Sequence, residues 1–159
     1  MKAAIIYNSK TGTTKKYAEA IGEYLHVKNT EVALSSIHEY KDEILQDADY
    51  LLLGCWTQGL IFFLQHPEKA WVNFTKLLPE NMKSRIILFT TYKVLTGSMF
   101  RKMYKHLNAN YNFSVVELKS RTGSLSELDK ISLDKLINEA AWIILIEYAV
   151  YDPFIAWKT

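Results

Sequence analysis

Short apolar runs alternate with stretches of helical periodicity along almost the whole chain, and this alternation restricts the fold more than any other feature. Lys2 to Asn8 is apolar and rich in β-branched and aromatic residues, too short for a helix, and it ends at the turn-forming Asn8 and Ser9. It reads as a buried strand. After Gly12 the period changes: Tyr17, Ala18, Ile21, Tyr24 and Leu25 fall on one helical face with Lys15, Lys16, Glu19 and Glu23 between them, so a helix begins near Thr13 or Thr14. The pattern repeats, with strands expected at Glu31 to Leu34, Tyr50 to Cys55, Arg85 to Thr90 and Phe113 to Leu118. Helices are expected at Tyr40 to Asp47, from Pro67 to about Leu77, at Ser98 to Leu107, and from about Leu125 to Val150. Strands separated by helices must be joined by crossovers, which implies an α/β fold: a doubly wound parallel sheet of five strands, covered on both faces.

A chain of 159 residues with 49% hydrophobic content can bury a core without disulfides or structural metal, so one domain over 1–159 is expected, ending in a long apolar helix and tail from about residue 125. The lone cysteine, Cys55, has no partner for a bridge and follows a buried strand, where it reads as a small core hydrophobe. Four scattered histidines offer no zinc-like spacing, and His66, just ahead of Pro67 at an expected helix start, reads as neutral. No stretch reaches the roughly 20 apolar residues of a membrane span, and Ala3 to Tyr7 is too brief for a signal peptide. A cytoplasmic, reducing setting is therefore expected. The net charge of +2 is unevenly spread: Asn81 to Arg121 holds Lys83, Arg85, Lys93, Arg101, Lys102, Lys105, Lys119 and Arg121 against Glu117 alone, a local net of +7. These cations either solvate element ends or form a positive face for an acidic partner.

The junction between the first strand and the first helix carries the chemistry. A helix start presents unpaired N–H groups and a positive partial charge, and anions bind there readily. The segment Ser9-Lys10-Thr11-Gly12-Thr13-Thr14 adds four hydroxyls, and Gly12 lets the backbone turn closely around a phosphate. It lacks the Gly-Lys-Ser/Thr ending of a triphosphate loop and the three spaced glycines of dinucleotide binders. A plain hydroxyl-rich helix cap with no ligand is the alternative.

In full, Ile5-Ile6-Tyr7-Asn8-Ser9-Lys10-Thr11-Gly12-Thr13-Thr14, followed by Ala18 and Ile21, resembles the signature of the flavodoxin family without departure. The resemblance implies a flavodoxin-like strand order of 2-1-3-4-5 and flavin mononucleotide (FMN) as cofactor. The phosphate would be wrapped by Ser9 to Thr14, and the ring held at the carboxyl ends of strands 1, 3 and 4, where ligands of such sheets bind.

Two further segments then fall beside the ring. After the third strand come Trp56, Thr57, Gln58 and Gly59, followed by the apolar run Leu60 to Leu64. Trp56 is placed to stack on the flavin, a contact worth roughly 0.5–1.5 kcal/mol beyond its buried area, or to pack beneath the loop. The resemblance gives Gly59 a backbone role near the reactive nitrogen. Leu60 to Leu64 either folds under as core or faces a partner or apolar substrate. After the fourth strand, Thr91, Tyr92, Lys93 and Gly97 belong to the loop that holds the pyrimidine side of the ring in this family. Tyr92 is its one aromatic, while Val94 falls where some flavodoxins carry a second stacking ring. Flavodoxins surround their flavin with carboxylates. These two loops contain none, and Lys93 lies in one of them, which predicts a higher midpoint potential for the second electron.

Three functions fit these residues. One is an FMN-dependent electron carrier exchanging electrons with redox proteins, the cofactor supplying the chemistry. Another is an FMN-dependent oxidoreductase acting on an apolar substrate such as a quinone or tetrapyrrole, which Leu60 to Leu64 favours. The third is a flavin-free interaction module with a basic docking face. Nucleic acid is not expected, because no aromatic-lined binding motif accompanies the cations. The apolar tail from Trp142 to Trp157 leaves a homodimer open.

Overall fold

A computed structural model describes residues 1–58 and 65–138. Residues 1–126 form one compact unit and 127–159 a second. In the first, β1 (Lys2–Asn8) leads into α1 (Thr13–Val27), followed by β2 (Glu31–Ser36), a 3₁₀ turn at Asp42–Leu45, β3 (Tyr50–Gln58) and β4 (His66–Pro67). Then come α2 (Lys69–Thr75), β5 (Arg85–Thr91), α3 (Met99–Lys105) and β6 (Phe113–Ser120). The sheet runs β2-β1-β3-β5-β6 with every pair parallel, which is the expected order once the two-residue β4 is set aside. In the second unit the described residues 127–138 are helical. The apolar run expected to extend that helix lies outside the described residues, as do Gly59 and Leu60 to Leu64.

The apolar runs become central strands because both their faces are covered: Ala3 to Ile6, Leu51 to Leu53 and Ile86 to Phe89 are all fully buried. Tyr17, Ala18 and Ile21 of α1 are likewise fully buried, the helical face read from their spacing. β3 and β5 touch at a point where only glycine fits. A Cβ on Gly54 would come within 2.0 Å of the Phe89 ring, which Tyr17 meets edge-on at 5.9 Å.

Three expected elements differ. The helix expected at Tyr40 to Asp47 is a single 3₁₀ turn, in which Ile44 and Leu45 pack against the core. Pro67 does not open a helix. It pairs with Thr57 while His66 pairs with Gln58, forming an antiparallel strand against the end of β3. A proline restricts its predecessor to extended geometry, and a short outer strand tolerates its missing N–H. The helix starts only after Glu68 and closes early, its last amides bonding i−3 carbonyls at Asn73 and Phe74. Finally, Trp56, Thr57 and Gln58, expected in a loop, prolong β3, with Trp56 in register with Thr91.

No helix among the described residues is long and apolar enough to cross a membrane. Nor do the described residues contain a cluster of His, Cys, Asp or Glu able to hold a metal ion.

Candidate functional site

The carboxyl ends of β1, β3 and β5 open onto a cavity of about 310 Å³, near the lower end of the usual range for small-molecule sites. Eight of the expected cofactor-binding residues line it: Lys10, Thr11, Thr13, Trp56, Thr57, Thr91, Tyr92 and Lys93. Four others complete the wall, Gln65, Val94, Leu95 and Arg121. Ser9, Gly12, Thr14, Gln58 and Gly97 are not in the lining.

At the start of α1 the hydroxyls do not act as caps. The N-cap is Gly12, held at φ 85° in the left-handed region that favours glycine, and no side chain bonds the first helical amides. The space where a Cβ of Gly12 would stand is open. Ser9 Oγ is buried without a partner, while Thr11 Oγ1 and Thr13 Oγ1 lie 3.4 Å apart. A buried hydroxyl normally finds a partner, and orphaning one costs about 1–3 kcal/mol. Uncapped amides, an orphaned hydroxyl and an unobstructed glycine together fit a bound phosphate better than a cap. Thr14 has a different role: its Oγ1 meets Thr91 Oγ1 at 2.7 Å in a buried contact.

The cavity's middle is framed by hydroxyls and an indole. Thr90 Oγ1 donates to the Cys55 carbonyl at 2.6 Å and lies 3.1 Å from Thr57 Oγ1, fixing the ends of β3 and β5 against each other. Trp56 is half-buried, and the Lys10 ammonium lies 5.3 Å from its ring centroid, a cation–π contact. Lys10 therefore reaches toward the part of the cavity under Trp56. Beneath, Cys55 is fully buried, and burial pushes its thiol up to about 12, so it is inert as a nucleophile at neutral pH. His66 Nδ1 lies 2.9 Å from the Pro67 carbonyl, which can only accept, so that nitrogen carries the proton.

Two of the additional residues arrive by routes that local pattern does not reveal. Gln65 precedes β4, and the pairing of β4 back onto β3 returns it to the cavity wall. Arg121 follows β6 in a tight turn. The Ser120 hydroxyl donates to the Ser124 carbonyl at 2.8 Å and accepts from the Gly123 amide at 3.0 Å. Gly123, at φ 77°, sits against the Thr13 carbonyl, where a Cβ would come within 2.7 Å. That contact draws the turn toward the start of α1 and brings Arg121 to the cavity. Arg121 had appeared in the sequence only as one cation of a basic run.

The lining carries Lys10, Lys93 and Arg121 and no carboxylate, and the sequence 59–64 adds no charged residue. At the mouth, Val94 and Leu95 are 62% and 40% exposed. Such a site can hold an anionic, partly aromatic ligand: phosphate at α1, a ring against Trp56, and positive charge around both.

The flavodoxin family profile matches residues 5–127. Among solved structures, the chain is similar to a flavodoxin from the domain Archaea, at 20% identity and TM-score 0.54, covering 86% of this chain and 93% of that one. It is similar to the flavodoxin of Streptococcus pneumonia TIGR4, at 16% identity and TM-score 0.67, over 89% and 98% of the two chains. A third is the rubredoxin oxygen:oxidoreductase from the anaerobe Desulfovibrio gigas, at 14% identity and TM-score 0.70, where 93% of this chain matches 37% of the larger one. No curated protein matches the sequence.

Proposed function

The chain belongs to the flavodoxin family, and on that premise we propose that it is an FMN-binding electron carrier whose phosphate site is the Ser9 to Thr14 loop. The observation that carries this reading is the buried, partnerless Ser9 hydroxyl beside the uncapped, glycine-led start of α1. Bound FMN supplies the redox chemistry, and the chain supplies position and charge. Thr11, Thr13 and the first amides of α1 hold the phosphate, with Gly12 giving it room. Trp56 stacks on the ring, with Thr57 and Gln58 beside it, and Gly59 contributes backbone. Thr91, Tyr92 and Lys93 flank the pyrimidine side, and Gly97, at φ 43°, turns the loop. Lys10, Lys93 and Arg121 favour the anionic reduced ring, so this carrier is less strongly reducing than one with an acidic flavin site. The same cations suit acidic redox proteins as partners, in a reducing cytoplasm. The absorption spectrum of freshly purified protein tests the core of the proposal: flavin bands near one equivalent support it, and colourless protein that ignores added FMN removes it.

A second reading, an FMN-dependent oxidoreductase acting on an apolar quinone or tetrapyrrole, is favoured by the exposed Val94 and Leu95 at the cavity mouth. Stopped-flow mixing of reduced protein with quinones, tetrapyrroles and redox proteins separates the two. Fast oxidation by small acceptors alone selects the enzyme.

A further inference from the structure

The turn after β6 rests on the first turn of α1. A Cβ on Gly123 would stand 2.7 Å from the Thr13 carbonyl and 3.1 Å from Lys16 Cβ, so only a glycine, here at φ 77°, lets the two segments approach this closely. On the other side, the Tyr92 amide donates to the Ser120 carbonyl at 3.1 Å. Arg121 is therefore carried between the end of β5 and the start of α1, and it lines the cavity together with Lys10, Thr11 and Thr13. Arg121 is exposed, and among the described residues no carboxylate pairs with it or with Lys10.

The charge at this end of α1 is one-sided. Its first turn has no acidic residue and includes Lys15 and Lys16, although the dipole there is already positive and favours anions. Lys15 is offset by Glu19 one turn further on, at 3.8 Å. Like charges gathered at a positive helix end repel one another, and a bound anion removes that cost. Uncapped amides suffice to hold a phosphate; a guanidinium beside them adds a planar fork of donors that matches two phosphate oxygens at once and carries full charge. We propose that Arg121 is a specificity-determining residue of the cofactor site, its guanidinium pairing with the phosphate of FMN from outside the Ser9 to Thr14 loop and selecting FMN over the uncharged alcohol riboflavin. The proposal rests on the FMN-binding reading. It gives the close seat of Gly123 on Thr13 a purpose, since that contact fixes how near the Arg121 backbone comes to the phosphate loop.

The test uses apoprotein titrated with FMN and with riboflavin, the same molecule without its phosphate, at low and high salt. Arg121→Met keeps an unbranched side chain and removes the charge; it should weaken FMN binding roughly tenfold and leave riboflavin binding within about twofold of wild type. Arg121→Lys keeps the charge without the fork and should recover part of the loss. The difference between wild type and Arg121→Met should shrink as salt screens the pair. An unchanged FMN-to-riboflavin ratio in Arg121→Met, or an equal loss of both ligands, overturns the proposal. Should Arg121→Met not fold, the wild-type holoprotein answers alone: a through-hydrogen-bond coupling between the phosphate ³¹P and a guanidinium ¹⁵N of Arg121 is expected, and couplings to backbone amides alone overturn the assignment. Failure of the functional reading looks different, since apoprotein would then bind neither ligand.

Discussion

Thr14 Oγ1 and Thr91 Oγ1 meet at 2.7 Å in the interior, joining the first turn of α1 to the last residue of β5 across 77 residues of sequence. The contact fastens the proposed phosphate loop to the strand end that leads into Tyr92 and Lys93. Both residues are nearly fully buried, so removing either hydroxyl strands the other without water. Thr14→Val and Thr91→Val are each expected to lose about 1–2 kcal/mol in urea unfolding, and the double variant less than the sum, because an apolar pair of similar shape leaves nothing unpaired. Strict additivity would show that the two hydroxyls act independently.

Gly54 and Phe89 set a second constraint. The Phe89 ring fills the volume a Cβ on Gly54 would occupy, with three ring atoms inside 2.6 Å. A whole ring cannot give way as a flexible chain end can, and its neighbour Tyr17 is fully buried. Gly54→Ala is expected to cost about 1–3 kcal/mol through overpacking, measured as a lowered urea midpoint. Gly54→Ala combined with Phe89→Leu should cost less than the sum of the two single effects. Additive costs would place the strain elsewhere.

The strands were legible because burial on both faces forces continuous apolar runs, and the change of period at Gly12 marks the start of α1 within a residue. Much less was visible at the carboxyl edge. Polar Thr57 and Gln58 gave no sign that β3 continues, since their strand geometry depends on His66 and Pro67 returning to pair with them. The same return brings in Gln65, so its place in the wall is a property of the ladder and not of its neighbours in sequence. Arg121 depended on the register of β6 and on Gly123 fitting against Thr13. The hydroxyl loop could be read as anion site or cap, and the uncapped start of α1 at Gly12 together with the partnerless Ser9 hydroxyl distinguishes them.

Cys55 offers a chemical test of the interior. Burial raises its thiol from the ordinary 9.0 to about 12. The folded protein therefore keeps the proton after the unfolded chain has lost it. Its contribution to stability is complete below the unfolded value and is lost as the pH rises from about 9 toward 12. At pH 8, a disulfide reagent should modify Cys55 in proportion to the unfolded fraction along a urea series. Rapid reaction in native buffer would contradict the burial.

The cations around the cavity bear on redox behaviour through Coulomb's law alone. Lys93 and Arg121 both line it, both are exposed, and no carboxylate in the lining offsets them. Exchanging a lysine for glutamate changes the local charge by two. At ~10 Å in a water-like dielectric that alters the energy of an added negative charge by about 0.8 kcal/mol, roughly 35 mV for one electron. Lys93→Glu should lower the second-electron midpoint of the FMN-loaded protein by that order, and Arg121→Glu should do the same. The shift should shrink as salt shortens the screening length. Potentiometry at low and high ionic strength checks both statements. A midpoint that stays fixed in both variants would mean that these side chains turn away from the ring once it is bound, and that the potential is set by the backbone around Trp56 and Tyr92 instead.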